Sequence, residues 1–157
     1  MVAPTHAERW SIDPGVEPGG ERLEIRLRGA FEVDDAHQLD AALAEHLQGM
    51  TPGAALVIID LNDLARCSVA ARDVLLEIQR RLSRVARRTA WVTNRPLNRG
   101  LGLFICHRSE DGNARTFPDL DHAEAWSETT ETRPDALHRR AAQWFGRLVG
   151  AGREARA

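Results

Sequence analysis

Six histidines, two cysteines and a few acidic pairs are the side chains of this sequence that could do chemistry, and their spacing argues against most of it. His6, His37, His46, His107, His122 and His138 stand apart, with no His-Glu-x-x-His or Cys-x-x-Cys arrangement to gather a metal ion. Cys106-His107 is an adjacent pair, and neighbours on a helix point different ways. Asp34-Asp35 could be paired carboxylates, but capping and dipole at a helix start account for them. Arg99-Gly100-Leu101-Gly102-Leu103 lies inside a helical pattern and lacks the preceding strand of a phosphate-binding turn. No nucleophile, base and orienting group can be assembled, so the expectation is a binding protein with no catalytic residues, metal or cofactor.

Composition narrows the partners. The net charge of −2 lacks the one-sided basic balance of a nucleic-acid protein. All cationic side chains are arginine and tyrosine is absent, a pattern of GC-rich coding rather than of chemistry. No apolar run reaches the roughly 18 residues of a membrane span, and residues 1–10 lack the pattern of a signal peptide. With Cys67 and Cys106 as the only cysteines, a cytoplasmic location is the expectation.

The elements that must position these residues alternate. Arg9 to Ile12 reads as a short strand, antiparallel to the next, and Asp13 to Gly20 as a Pro- and Gly-rich loop. Leu23, Ile25 and Leu27 alternate with charges as in a strand with one buried face. Asp34 or Asp35 offers an N-cap to a helix whose stripe is Ala36, Leu39, Leu43 and Leu47. Residues 54–60 are almost continuously apolar, the mark of a strand buried on both faces. A second helix follows over 69–87 with Leu75, Ile78, Leu82 and Val85 as its seam, and a strand over 89–93. Pro96 opens a shorter helix on which Leu97, Leu101, Phe104 and Ile105 share a face. A strand at 114–117 and a helix at 120–126 complete the set. The fold class is therefore α/β: a mixed, mostly parallel sheet of four to five strands covered by helices.

Several segments resemble a STAS domain, the fold of bacterial anti-sigma-factor antagonists. Gly29-Ala30-Phe31-Glu32 resembles the family's Gly-Glu-Leu-Asp turn, with Glu32 for the aspartate. Ile59-Asp60-Leu61-Asn62 resembles the strand ending in an Asp-Leu-Ser-like sequence. Asn94-Arg95-Pro96 resembles the exit of the next strand, and residues 117–125 the closing strand and helix. The resemblance implies a regulatory protein partner, anti-sigma-factor or kinase-like, and contacts from Glu32, Asp60, Asn62, Ser68, Val69, Arg72 and Asn94. The family's Asp-Ser-Ser-Gly-like turn, where a kinase phosphorylates a serine, falls here on Ser68-Val69-Ala70-Ala71, with no serine at either usual position. Ser68 either caps the second helix or meets the partner. The alternative function is small-ligand or lipid binding, because a lipid-transfer-like group of STAS-like domains has also lost the serine turn.

Two charged or apolar features remain. Arg80, Arg81, Arg84, Arg87 and Arg88 read as one solvated helix face or as a patch for an acidic partner. Past Thr132, Leu137, Ala141, Trp144, Phe145 and Leu148 form the stripe of an appended amphipathic helix. Trp144, Phe145 and Leu148 then either dock on the domain or join two copies. The expected organisation is an N-terminal strand and loop over 1–21, the STAS-like domain over 22–132, and this helix with a polar tail over 133–157.

Overall fold

The apolar run at residues 56–59 becomes the middle of a six-stranded sheet. The computed structural model describes residues 2–17 and 20–129. In chain order the elements are β1 (Thr5–His6), β2 (Trp10–Glu17), β3 (Gly20–Leu27), β4 (Gly29–Phe31), α1 (Val33–Gln48), β5 (Leu56–Asp60), β6 (Leu64–Cys67), α2 (Val69–Val85), β7 (Arg88–Val92), α3 (Pro96–Arg108), β8 (Ala114–Phe117) and α4 (Leu120–Glu128). The sheet order is β1-β2-β3-β5-β7-β8, and β4 pairs with β6 beside it. From β3 to β8 the neighbours run parallel, while β1, β2 and β3 are antiparallel. The two-residue β1 is too short to carry a periodic signal.

Alternation along the strands sorts the sheet into two unequal faces. Leu23, Ile25, Leu27, Val57, Ile59 and Trp91 point to a core closed by α1, α2 and α3. Leu56, Ile58, Ala90 and Val92 point the other way, against Ala123 and Trp126 of α4. The half of that second face formed by β2 and β3 is polar. Arg26 binds Glu24 at 2.7 Å, Arg28 donates to Ser11 Oγ at 3.0 Å, and Arg22 reaches Glu124 of α4 at 2.7 Å. The charges between Leu23, Ile25 and Leu27 are thus a solvated ladder.

Four local readings change. Residues 13–17 continue a strand rather than a loop, with Pro14 opposite Leu23. Because β1 pairs only with Ser11 and Ile12, proline lies on the unpaired outer stretch of β2, where its missing N–H costs no ladder bond. The α1 N-cap is Glu32, two to three residues before the expected aspartates; Asp35 accepts from the Glu32 N–H at 2.9 Å. Leu97 does not share the buried face of α3: it is 89% exposed, and Asn98, Gly102 and Ile105 face the core. Arg87 and Arg88 leave the arginine face of α2, because that helix stops at Val85. The expected helix carrying Trp144, Phe145 and Leu148 lies outside the described residues.

Arg88 instead pins α4 to the sheet. Its buried guanidinium donates to the carbonyls of Trp126 and Thr129 and stacks 4.7 Å from the Trp126 ring. A lysine keeps the charge but loses the planar fork. Arg88→Lys should therefore lower unfolding stability by about 1.5–3 kcal/mol in urea titrations, the size of hydrogen bonds to a charged group.

His46, on α1, is buried with Nε2 at 3.1 Å from Thr5 Oγ1, tying the N-terminal segment to the helix. Burial disfavours the imidazolium and lowers its pKa. The unfolded chain therefore takes up a proton below about pH 6.5 that folded His46 resists, so this contribution is present at neutral pH and lost on acidification. Urea midpoints at pH 7.5 and 5.5 should differ less in His46→Gln than in the native sequence.

Candidate functional site

The chain segments leaving β4, β5, β6 and β7 carry the residues that the sequence singles out. Asp60 ends β5, and its Oδ1 accepts from the Asn62 N–H at 2.9 Å, closing a local turn. Asn62 Oδ1 in turn accepts from the Asn94 N–H at 2.9 Å. The Leu61 N–H donates to the Val92 carbonyl at 2.9 Å. Asp60, Asn62 and Asn94 are therefore joined, as a frame that locks the exits of two adjacent parallel strands.

That frame is held from beneath by Asn98, which sequence reasoning missed. Its buried Nδ2 donates to the Leu61 and Leu64 carbonyls at 2.7 and 2.9 Å. Arg95 Nη1 adds a third bond, to the Leu64 carbonyl at 2.9 Å. An asparagine at the third position of a helical pattern gives no periodic signal of such a role. Only its burial reveals it.

Glu32, Ser68, Val69 and Arg72 form the second group. Phe31 pairs with Cys67, and the Ser68 N–H donates to the Phe31 carbonyl at 3.1 Å. Glu32 meets Arg66 across the same pair at 3.2 Å. Ser68 Oγ accepts from the Ala71 N–H at 3.1 Å, so the serine is the N-cap of α2. Val69, next to it, is 66% exposed. Arg72 lies one turn further on, its guanidinium 4.5 Å from the Phe104 ring of α3. Leu64, at the start of β6, links this group to the Asn98 frame.

The chemistry open to this arrangement is limited. Burial raises the Cys67 thiol to about 11, against the weaker opposing effect of Arg72. Burial likewise raises Cys106 to about 11. Neither is a thiolate nucleophile near neutral pH. Cys106 Sγ faces Thr116 Oγ1 at 3.7 Å while His107 is exposed, so the adjacent pair is not a working dyad. Among the described residues no three His, Cys, Asp or Glu side chains converge as for a metal ion. No described helix is long and apolar enough to cross a membrane. One cleft of about 240 Å³ lies beside Leu23, His46 and Met50, and a larger, open one of about 500 Å³ lies beside Cys106, His107 and Asp111.

The sequence matches no protein-family model and none of the curated proteins. Among solved structures it is similar to an uncharacterised DUF3478-family protein with a SpoIIAA-like fold from Shewanella loihica PV-4, with a TM-score of 0.61 and 20% identity. That alignment covers 78% of this chain and 96% of that one. The anti-sigma factor antagonist SpoIIAA in its unphosphorylated form aligns with a TM-score of 0.49 and 15% identity, over 77% of this chain and 99% of that one. The chain thus has a SpoIIAA-like fold, the STAS-like architecture that its motifs resemble.

The capping bond has a direct consequence. Ser68→Ala should lower stability by about 1 kcal/mol, within the usual 0.5–2 for a lost N-cap, while Ser68→Asp should restore it. Thermal unfolding of the three proteins checks this.

Proposed function

We propose that this chain is a non-enzymatic protein-binding module of STAS type, which engages a regulatory partner through the surface of Glu32, Ser68, Val69 and Arg72. The observation that carries this reading is the environment of Ser68. Its Oγ accepts the helix-capping bond, and the next residue is an exposed valine where the resemblance leads one to expect a serine. The turn offers an apolar side chain beside a cationic one, a pairing suited to adhesion. A phosphate at Val69 or Ala70 is chemically impossible. Binding is therefore regulated, if at all, by something other than phosphorylation of those positions.

Arg72 fits a partner carboxylate. Its guanidinium is already oriented on Phe104, with Asp73 at 3.4 Å, so little side-chain freedom remains to be lost on association. Asp60, Asn62 and Asn94 act from behind by holding the strand exits in place; they shape the surface more than they adhere.

Affinity purification of the tagged full chain from its own cells, with mass spectrometry, provides the test. The expected result is an anti-sigma-factor-like or kinase-like protein whose recovery falls at least tenfold in Val69→Glu and Arg72→Glu and is kept in Ser68→Ala. Recovery of no such partner, or one indifferent to both charge changes, refutes the reading. Co-purified lipid would instead support the ligand-carrier alternative.

A further inference from the structure

The outer face of α3 is the most apolar exposed surface among the described residues, and the fold does not explain it. Leu97 is 89% exposed and Leu103 54% exposed, while the same helix turns Asn98, Gly102 and Ile105 inward. Leu97, Gly100 and Leu103 are spaced by threes, so they form one of the rows that helix surfaces present to neighbouring helices. The middle member of that row has no side chain. The row therefore reads ridge, notch, ridge.

The two glycines of α3 differ in their cause. A Cβ on Gly102 would come within 3.1–3.3 Å of Thr116 and Trp91, so that glycine lets the helix lie close to the sheet. A Cβ on Gly100 would meet nothing within 4 Å. Glycine in a helix interior lowers helix stability relative to alanine, and no packing within the domain requires it at position 100. What a bare position between two leucines does allow is the close approach of another backbone or the seating of another side chain.

The rim supplies the sign of the partner. From Asn94 to Ser109 the sequence has no carboxylate, but has Arg95, Arg99, His107 and Arg108. Arg95 is engaged with the Leu64 carbonyl. Arg99, one turn before Leu103, and Arg108, one turn after Phe104, are exposed and have no ion pair among the described residues. Apolar centre and guanidinium rim together match an acidic amphipathic helix. The chain's own segment beyond Thr132 carries Arg133, Arg139, Arg140, Arg147, Arg153 and Arg156 against Asp135 and Glu154, so its charge is of the wrong sign for this rim.

We propose that the outward face of α3 docks an acidic amphipathic helix of another protein, which seats an apolar side chain over Gly100 between Leu97 and Leu103 and sets carboxylates against Arg99 and Arg108. This rests on the reading of the chain as a protein-binding module, but it uses Leu97, Gly100 and Leu103 rather than Val69; Arg72, stacked on Phe104, lies between the two surfaces. The two can fail separately.

The test uses the full chain and two synthetic helical peptides with an identical leucine seam, one flanked by glutamate and one by lysine. By calorimetry the glutamate peptide should bind at least tenfold more tightly, and its amide shifts should centre on residues 97–108. Gly100→Leu should raise thermal stability, since leucine is the better helix former, yet fill the notch and weaken peptide binding at least tenfold. Arg99→Glu with Arg108→Glu should reverse the peptide preference, whereas Val69→Glu should leave it unchanged. Equal binding of both peptides, indifference to Gly100→Leu, or shifts centred elsewhere would overturn the proposal. So would three other occupants of the face. These are anionic phospholipid vesicles bound through Leu97, self-association abolished by Gly100→Leu, or shift changes at residues 137–148 on Leu97→Asp.

Discussion

Covering both faces of β5 is the constraint from which the rest of the structure follows. Leu56, Val57, Ile58 and Ile59 are all at most 2% exposed, and each such side chain favours burial by roughly 1.5–3 kcal/mol. Parallel neighbours on either side satisfy its backbone, but its side chains need helices above and below. Three helices close one face. Among the described residues one short helix, α4, covers the other; it packs on Leu56, Ile58, Ala90 and Val92 and meets β3 through the Arg22–Glu124 ion pair. The half that α4 leaves without apolar cover among the described residues is polar, in keeping with the alternation of leucine and isoleucine with arginine and glutamate along β3. The Arg88 guanidinium is structural here, since it fastens α4 to this side of the sheet.

The packing of β7 then determines where the candidate site stands. Trp91 is fully buried and donates from Nε1 to Gln79 of α2 at 2.8 Å, and Gln79 donates onward to Asp111 at 3.1 Å. This buried chain fixes α2 against β7 and the loop before β8, and a satisfied polar network of that kind specifies a single arrangement. With α2 set, its N-cap Ser68 falls beside the β4–β6 pair. Asn98 joins the same end of the sheet to α3. The site is thus a product of core packing at one remove, and its polar residues mostly serve one another.

Elements with strong periodicity were legible in the sequence. The alternating β3, the apolar β5 and the Leu75–Ile78–Leu82 seam of α2 all stand where their patterns put them, because each buries its signal residues on one defined side. Ser68 as a cap was legible too, since capping is local chemistry. The strand through Pro14 and Gly15 was not, because only the unpaired outer edge of β2 makes a proline acceptable there. The β4–β6 pair was too short to show a period. Leu97 was misplaced for a different reason: helical spacing groups it with Leu101 and Phe104 but cannot say which way the stripe turns. Asn98 and Gly102 decide that, one by bonding two carbonyls and the other by admitting the sheet.

α3 therefore departs from the rule that the other helices obey. Apart from Val69 at the start of α2, α1 and α2 spend their large apolar side chains on the core, as burial energetics favour. α3 puts an asparagine and a glycine inward and leaves two leucines in water. The inward choice follows from close approach: with Gly102 against Trp91 and Thr116, a larger side chain at that level has no room. Space on the inner side does not, however, require leucine on the outer side, where arginine or glutamate would be stable and better hydrated. A helix whose core contacts are complete, and whose outer row is still leucine, glycine and leucine, is shaped by a surface beyond the domain.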